Sequence, residues 1–164
     1  MAPHGKLIKP HPNSSKTLYQ TPSPYEQRIG YYRGVRHGNH IFISGTTAVA
    51  VAPDSPASAA PQILHPGDAA AQMRVALGEC IRVVGELAGV DTRRAKGSVV
   101  RVRMKEDVAG VMEVFREMLG AGREGCGEEG DEVGVAATLI VVKDGFVSDD
   151  MLVEVEVDAM VEAE

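Results

Sequence analysis

The stretch DAAAQMRVALGECIRVVGELAG, Asp68 to Gly89, decides how this chain folds. Met73, Ala76, Leu77, Cys80, Ile81, Val84, Leu87 and Ala88 recur at the three- and four-residue spacing that lines one side of a helix. Arg74, Arg82 and Glu86 fall on the other side. Asp68 can accept the free N–H groups at the start, and Gly89 can end the helix in a left-handed turn. A helix with one apolar face needs a surface to lie on, and the segments around it read as strands.

Upstream, GYYRGVR (30–36) and HIFISGT (40–46) flank a Gly38–Asn39 turn, the pattern of a β-hairpin. The Ala-, Pro- and Ser-rich stretch 48–68 reads as a surface loop leading into the helix. Downstream, GSVVRVRM (97–104) alternates Val100, Val102 and Met104 with Arg101 and Arg103, as a strand with one buried face does. A second helix carries Val108, Val111, Met112, Phe115, Met118 and Leu119 as its stripe and stops at Gly120. The glycine- and acid-rich segment 121–132 separates it from GVAATLIVV (134–142), an uncharged strand. MLVEVEVDAMV (151–161) then alternates Val153, Val155 and Val157 with Glu154, Glu156 and Asp158.

The order β-β-α-β-α-β-β describes an α/β fold, a mixed sheet with two helices packed on one face. The other face is left open, which predicts a second copy as its cover and hence a homo-oligomer. Residues 1–24 hold five prolines among polar residues and read as an extended arm. Residues 25–164 are enough for a single domain.

Seventeen Lys and Arg against 23 Asp and Glu leave a net charge of -6, so the molecule's field repels phosphate backbones and argues against nucleic acid as a partner. Cys80 and Cys126 have no metal or redox spacing, and a reduced, cytoplasmic setting is the simplest expectation. No apolar run approaches the roughly 20 residues of a membrane span, and the first residues lack the apolar segment of a signal peptide. His37 and His40 stand beside a turn without carboxylate or thiol neighbours at ligand spacing, so no metal is expected. GAGREGCGEEG lacks the ending of a phosphate loop, and no cofactor is expected.

Four separated segments, SPYEQRIGYYRGVRHGNHIFISGTTA, DAAAQMRVALGECIRVVGELAGV, ATLIVV and MLVEVEVDAMV, together resemble the Rid family. These are the YjgF-like reactive intermediate deaminases, also labelled endoribonuclease L-PSP. The resemblance runs from about Ser23 to Val161. It implies a chorismate-mutase-like fold assembled as a homotrimer, with small-molecule ligands bound in clefts between subunits. Relatives hydrolyse enamines and imines such as 2-aminoacrylate, holding the carboxylate with an arginine in a PARS or PART motif through a bidentate pair. That motif falls on Val135, Ala136, Ala137 and Thr138, so Ala137 stands in the arginine's place. This argues against deamination of amino-acid-derived imines. The resemblance also puts Tyr31, Arg33, Ser44 and Gly45 beside the ligand and makes Glu154 the candidate catalytic residue. Arg33, Arg101 and Arg103 are candidate substitutes for the lost cation.

Two functions are consistent with these residues: hydrolysis, tautomerisation or cyclisation of a small reactive metabolite, or non-enzymatic metabolite binding and regulation. Cleavage of single-stranded RNA is disfavoured by the charge and by the lack of a basic, aromatic-studded stripe.

Overall fold

The computed structural model describes residues 5–50, 62–89, 98–120 and 135–161. Ten elements follow in order: β1 (Lys6–Ile8), β2 (Lys16–Gln20), α1 (Pro24–Ile29), β3 (Gly34–His37), β4 (His40–Thr46), α2 (Ala69–Ala88), β5 (Ser98–Met104), α3 (Val108–Leu119), β6 (Val135–Val141) and β7 (Val153–Met160). The strands form one mixed sheet in the order β1-β2-β3-β4-β7-β5-β6. β5 and β6, joined through α3, pair in parallel, and the other neighbours are antiparallel. The mixed α/β sheet expected from the sequence is present, with two additional strands and one additional helix near its start. The glycine- and acid-rich segment with Cys126, and most of the Ala- and Pro-rich loop, lie outside the described residues.

The additions explain what the prolines do. Pro10 and Pro12 lie between β1 and β2, where no ladder hydrogen bond is required of them, and β1 is a three-residue edge strand. Pro24 opens α1 at the first helical position, whose N–H would have no partner in any case. Residues read as an extended arm are therefore extended in part, but as strands bonded to the sheet through β2 and β3.

The predicted stripe of α2 lies over the sheet. Met73, Ala76, Leu77, Cys80, Val84 and Leu87 meet Ile41, Ile43, Val100, Val102, Val153 and Val155 in a continuous core. Each fully buried aliphatic side chain of this kind stabilises the fold by about 1.5–3 kcal/mol. Asp68 caps the helix by accepting the Ala71 N–H at 2.8 Å, and Gly89 ends it with φ of 70°. Gly34 lets α2 approach closely, since a Cβ there would stand 2.7 Å from Leu87 Cδ1. Burial has pushed the Cys80 thiol up to about 12, so it remains a protonated core group.

α3 sits differently from its predicted stripe. Val111 and Val114 are its buried residues, whereas Met112 and Val108 are 50% and 40% exposed. The helix packs mainly against α2, which leaves a groove between α3 and β6 whose lining includes the apolar Ala109, Met112, Phe115 and Leu139 and the charged Glu113 and Arg116. Among the described residues no helix is long and apolar enough to cross a membrane.

One arginine ties the hairpin to α2. Arg36 Nη1 donates to the carbonyls of Leu87 and Ala88, both at 3.0 Å, at the end where the helix has unpaired acceptors and a negative pole. Arg36→Ala is expected to lower the unfolding free energy by about 1–2 kcal/mol in urea titration, and Arg36→Lys by less, because a charge remains near the pole. Equal losses for the two variants would mean that the fork geometry, not the charge, carries the effect.

Candidate functional site

β4 and β7 keep register from His40 to Ile43, lose it, and resume at Thr46. The interruption is Ser44–Gly45. A bulge of this kind turns backbone groups out of the ladder, and they must find other partners. Ser44 N–H donates to the Arg33 carbonyl at 3.0 Å and Ser44 Oγ to the Tyr32 carbonyl at 2.8 Å. The Gly45 carbonyl accepts from Arg33 Nη1 at 3.1 Å, and the same nitrogen donates to Thr46 Oγ1 at 2.9 Å.

Arg33 is itself buried and needs a counter-charge there. Its Nε donates to Glu26 Oε1 at 3.1 Å, and the Glu26 side chain is fully enclosed. Glu26 also accepts from the Thr21 N–H at 2.8 Å and from Thr21 Oγ1 at 2.5 Å. A chain Thr21–Glu26–Arg33–Gly45 thus runs from the end of β2 through α1 to the bulge. Burial raises the Tyr31 phenol above its ordinary value, while the nearby Arg33 opposes the rise and Glu26 adds to it.

Tyr31, Arg33 and Gly45 line one small cavity of about 50 Å³, together with Thr21, Tyr25 and Glu79. Glu79 is paired with Arg82 at 2.7 Å. On the other side of Gly45 lies Glu154. A Cβ on residue 45 would stand 2.9 Å from Glu154 Cδ, so a larger residue there would displace the carboxylate end of that side chain. Gly45 is therefore the shared wall between the Arg33 cavity and the Glu154 carboxylate.

Glu154 belongs to a row of charges on the face of the sheet away from α2. Arg103 Nη1 meets its Oε1 at 2.7 Å, and Arg101 Nη1 meets Asp158 at 2.8 Å and Glu156 at 3.4 Å. The hydrogen bond to Asp158 is the main reason Arg101 holds its proton even more tightly than usual. The uncovered face is thus polar along β5 and β7. Phe42, Ile140 and Met160, each between 46% and 48% exposed, supply its apolar part.

The structure does not bring every sequence-derived position together. Ala137 pairs in register with Val100, whose side chain is buried on the helix side, so Ala137 faces that side and Glu154 the opposite one. Thr138 pairs with Arg101 on the open side, two strands over from Glu154's own strand. Arg101 and Arg103 are engaged by carboxylates. Sequence reasoning missed Glu26 and Thr21, whose roles depend on partners that no local pattern announces, while Thr46 was reached only as part of the Ile43–Thr46 segment that the resemblance sets beside the ligand. Among the described residues no group of three or more His, Cys, Asp or Glu side chains could hold a metal.

The mixed sheet with its helix layer matches the fold of solved YjgF-family structures. Rv2704 of Mycobacterium tuberculosis, of the YjgF/YER057c/UK114 family, matches with a TM-score of 0.62 and 25% identity over 89% of this chain and 99% of its own. Escherichia coli TdcF, solved with bound serine, matches with a TM-score of 0.55 and 22% identity over 80% of this chain and 88% of its own. By sequence, the uncharacterized protein SCO2049 of Streptomyces coelicolor is 29% identical over 145 residues, 85% of this chain and 88% of that protein. No family model matches the chain. Such a fold hosts more than one activity, so function has to be argued from the site.

Proposed function

We propose that this chain is a cytoplasmic, Rid-like homotrimer that binds a small reactive metabolite against the Ser44–Gly45 bulge, between Tyr31, Arg33 and Glu154. The bulge at Ser44–Gly45 carries this reading: Gly45 lines the Arg33 cavity and packs against the Glu154 carboxylate at a point where the backbone has left the ladder. Arg33 is already neutralised by Glu26, and Glu154 by Arg103. Ala137 offers no cation. A carboxylate entering such a site would give up its hydration without gaining a free partner, which favours a ligand that is uncharged at this end. That separates the chain from relatives whose ligand is an amino acid, as the serine bound to TdcF is.

Glu154 would take a proton from a water molecule as its oxygen adds to a C=N carbon, or from an acidic C–H during tautomerisation or cyclisation. The test compares hydrolysis of 2-aminoacrylate with that of an imine lacking a carboxylate. Turnover of the uncharged imine alone is expected, with Glu154→Gln lowering it at least about 100-fold. Efficient 2-aminoacrylate hydrolysis by the wild type would overturn the account of Ala137.

One observation favours a second reading, non-enzymatic metabolite binding or regulation: the Glu154 carboxylate is held in an ion pair with Arg103. On that reading neither imine turns over, and Glu154→Gln leaves calorimetric binding of the uncharged imine unchanged.

A further inference from the structure

We propose that the Arg33 cavity is a carboxamide subsite, taking the uncharged amide or urea end of the ligand with its carbonyl oxygen on Arg33 Nη2 and its N–H groups on the Ser23 hydroxyl. This deepens the function proposed above and rests on it, since it assumes a ligand lying against the Ser44–Gly45 bulge. It assigns the end of that ligand away from Glu154.

The argument begins with the donors of Arg33. A guanidinium has five N–H groups. Nε gives its one to Glu26 Oε1, and Nη1 gives its two to the Gly45 carbonyl and Thr46 Oγ1. Nη2 makes no hydrogen bond to a described residue. Nor is it sealed in, because among the described residues no enclosed side-chain nitrogen or oxygen is left without a partner. Nη2 therefore opens onto space, and the space that Arg33 lines is the cavity of about 50 Å³.

Which N–H groups remain decides what can bind. An arginine grips a carboxylate with two nitrogens side by side, Nε with Nη2 or Nη1 with Nη2. Glu26 occupies the first fork and the bulge occupies the second, so only a single-point contact is left. One carbonyl oxygen suits it. The charges agree, for Arg33 already faces the Glu26 carboxylate, and the Glu79 carboxylate that also lines the cavity is matched by Arg82. An anion placed there would be desolvated without a counter-charge of its own.

The N–H side of the ligand has its own partner. Ser23 is 5% exposed and occupies the N-cap position of α1, yet its side chain makes no capping hydrogen bond. A serine in that place ordinarily accepts a backbone N–H. Its hydroxyl instead belongs to the cavity wall, as does the phenol of Tyr31. Burial raises that phenol and the nearby Arg33 opposes the rise, so the hydroxyl keeps its proton at neutral pH. A nitrogen that only donates, set beside hydroxyls that also accept, complements a carbonyl bonded to an NH₂ group. A space of this volume holds about three or four non-hydrogen atoms, which is a carboxamide or urea group and not a whole metabolite.

Amide NMR of the isotopically labelled protein tests this with acetamide and acetate as probes. Acetamide is expected to shift the Thr46 and Thr47 amides saturably, with a Kd of about 1–50 mM, below the ceiling for so small a ligand. Acetate is expected not to saturate. The double variant Glu26→Leu with Arg33→Met should abolish the acetamide response. Ser23→Ala leaves the ion pair in place and should weaken acetamide about 3- to 10-fold. No saturable shift with acetamide, acetate binding as tight as acetamide's, or acetamide binding unchanged in both variants would overturn the subsite. Acetamide binding without turnover of either imine would sustain the subsite and remove the catalytic role of Glu154. Turnover of the uncharged imine without acetamide binding would do the reverse.

Discussion

Glu26→Ala is expected to lower the unfolding free energy by about 3–5 kcal/mol, the range seen when one partner of a buried ion pair is removed. The cost arises mainly from what remains. Arg33 keeps its bonds to Gly45 and Thr46 but loses the only counter-charge the described residues place on its Nε, in a site where the arginine side chain is 10% exposed. Thr21 loses two acceptors at once. A sharper form of the test is the double variant Glu26→Leu with Arg33→Met, which removes both charges. It is expected to be more stable than either single variant, because an apolar pair of similar size needs no compensation. Urea titration with tyrosine fluorescence measures all three. A loss below about 1 kcal/mol for Glu26→Ala would mean that solvent reaches the pair and that Arg33 is free to serve a ligand directly.

How much of this was legible in the sequence depends on how local its cause is. The α2 stripe was readable because twenty residues repeat one period, and Asp68 and Gly89 bound it as capping chemistry requires. β5 and β7 were readable because valines alternate with charges. The strands β1 and β2 were obscured by their prolines, although Pro10, Pro12 and Pro24 all occupy places where a missing N–H costs nothing. The rotation of α3 was hidden because its stripe contains more apolar residues than one face can bury, and Val114, outside the stripe, took a place in the core. At the candidate site, Gly45 and Glu154 were reachable only by resemblance. Glu26 was not reachable at all: its partners are Arg33, seven residues on, and Thr21, five residues back, and neither spacing announces a buried pair.

Gln72→Leu is expected to cost about 2–4 kcal/mol, although the substitution makes an apolar core more apolar. Gln72 lies on the buried side of α2 with no exposed surface. Its Oε1 accepts the Leu152 N–H at 2.8 Å, and its Nε2 donates to the Asp150 carbonyl at 2.7 Å and the His65 carbonyl at 3.2 Å. One side chain thus replaces ladder partners for the irregular chain that enters β7. Leucine fills the same space, but the Leu152 N–H is left buried without an acceptor and two carbonyls without this donor. Gln72→Glu keeps the acceptor for Leu152 while turning a carboxylate oxygen towards two carbonyls, so it too should destabilise. A loss within about 0.5 kcal/mol for Gln72→Leu would show that the entry to β7 is held by β5 alone. Hydrogen exchange separates local from global effects. The Leu152 amide should lose protection in Gln72→Leu by more than the global change explains, while the amide of Val102, in the middle of β5, should follow the global change. Leu152 is two residues from Glu154. Loosening it should therefore weaken ligand binding at the bulge as well, through a residue that touches neither ligand nor carboxylate.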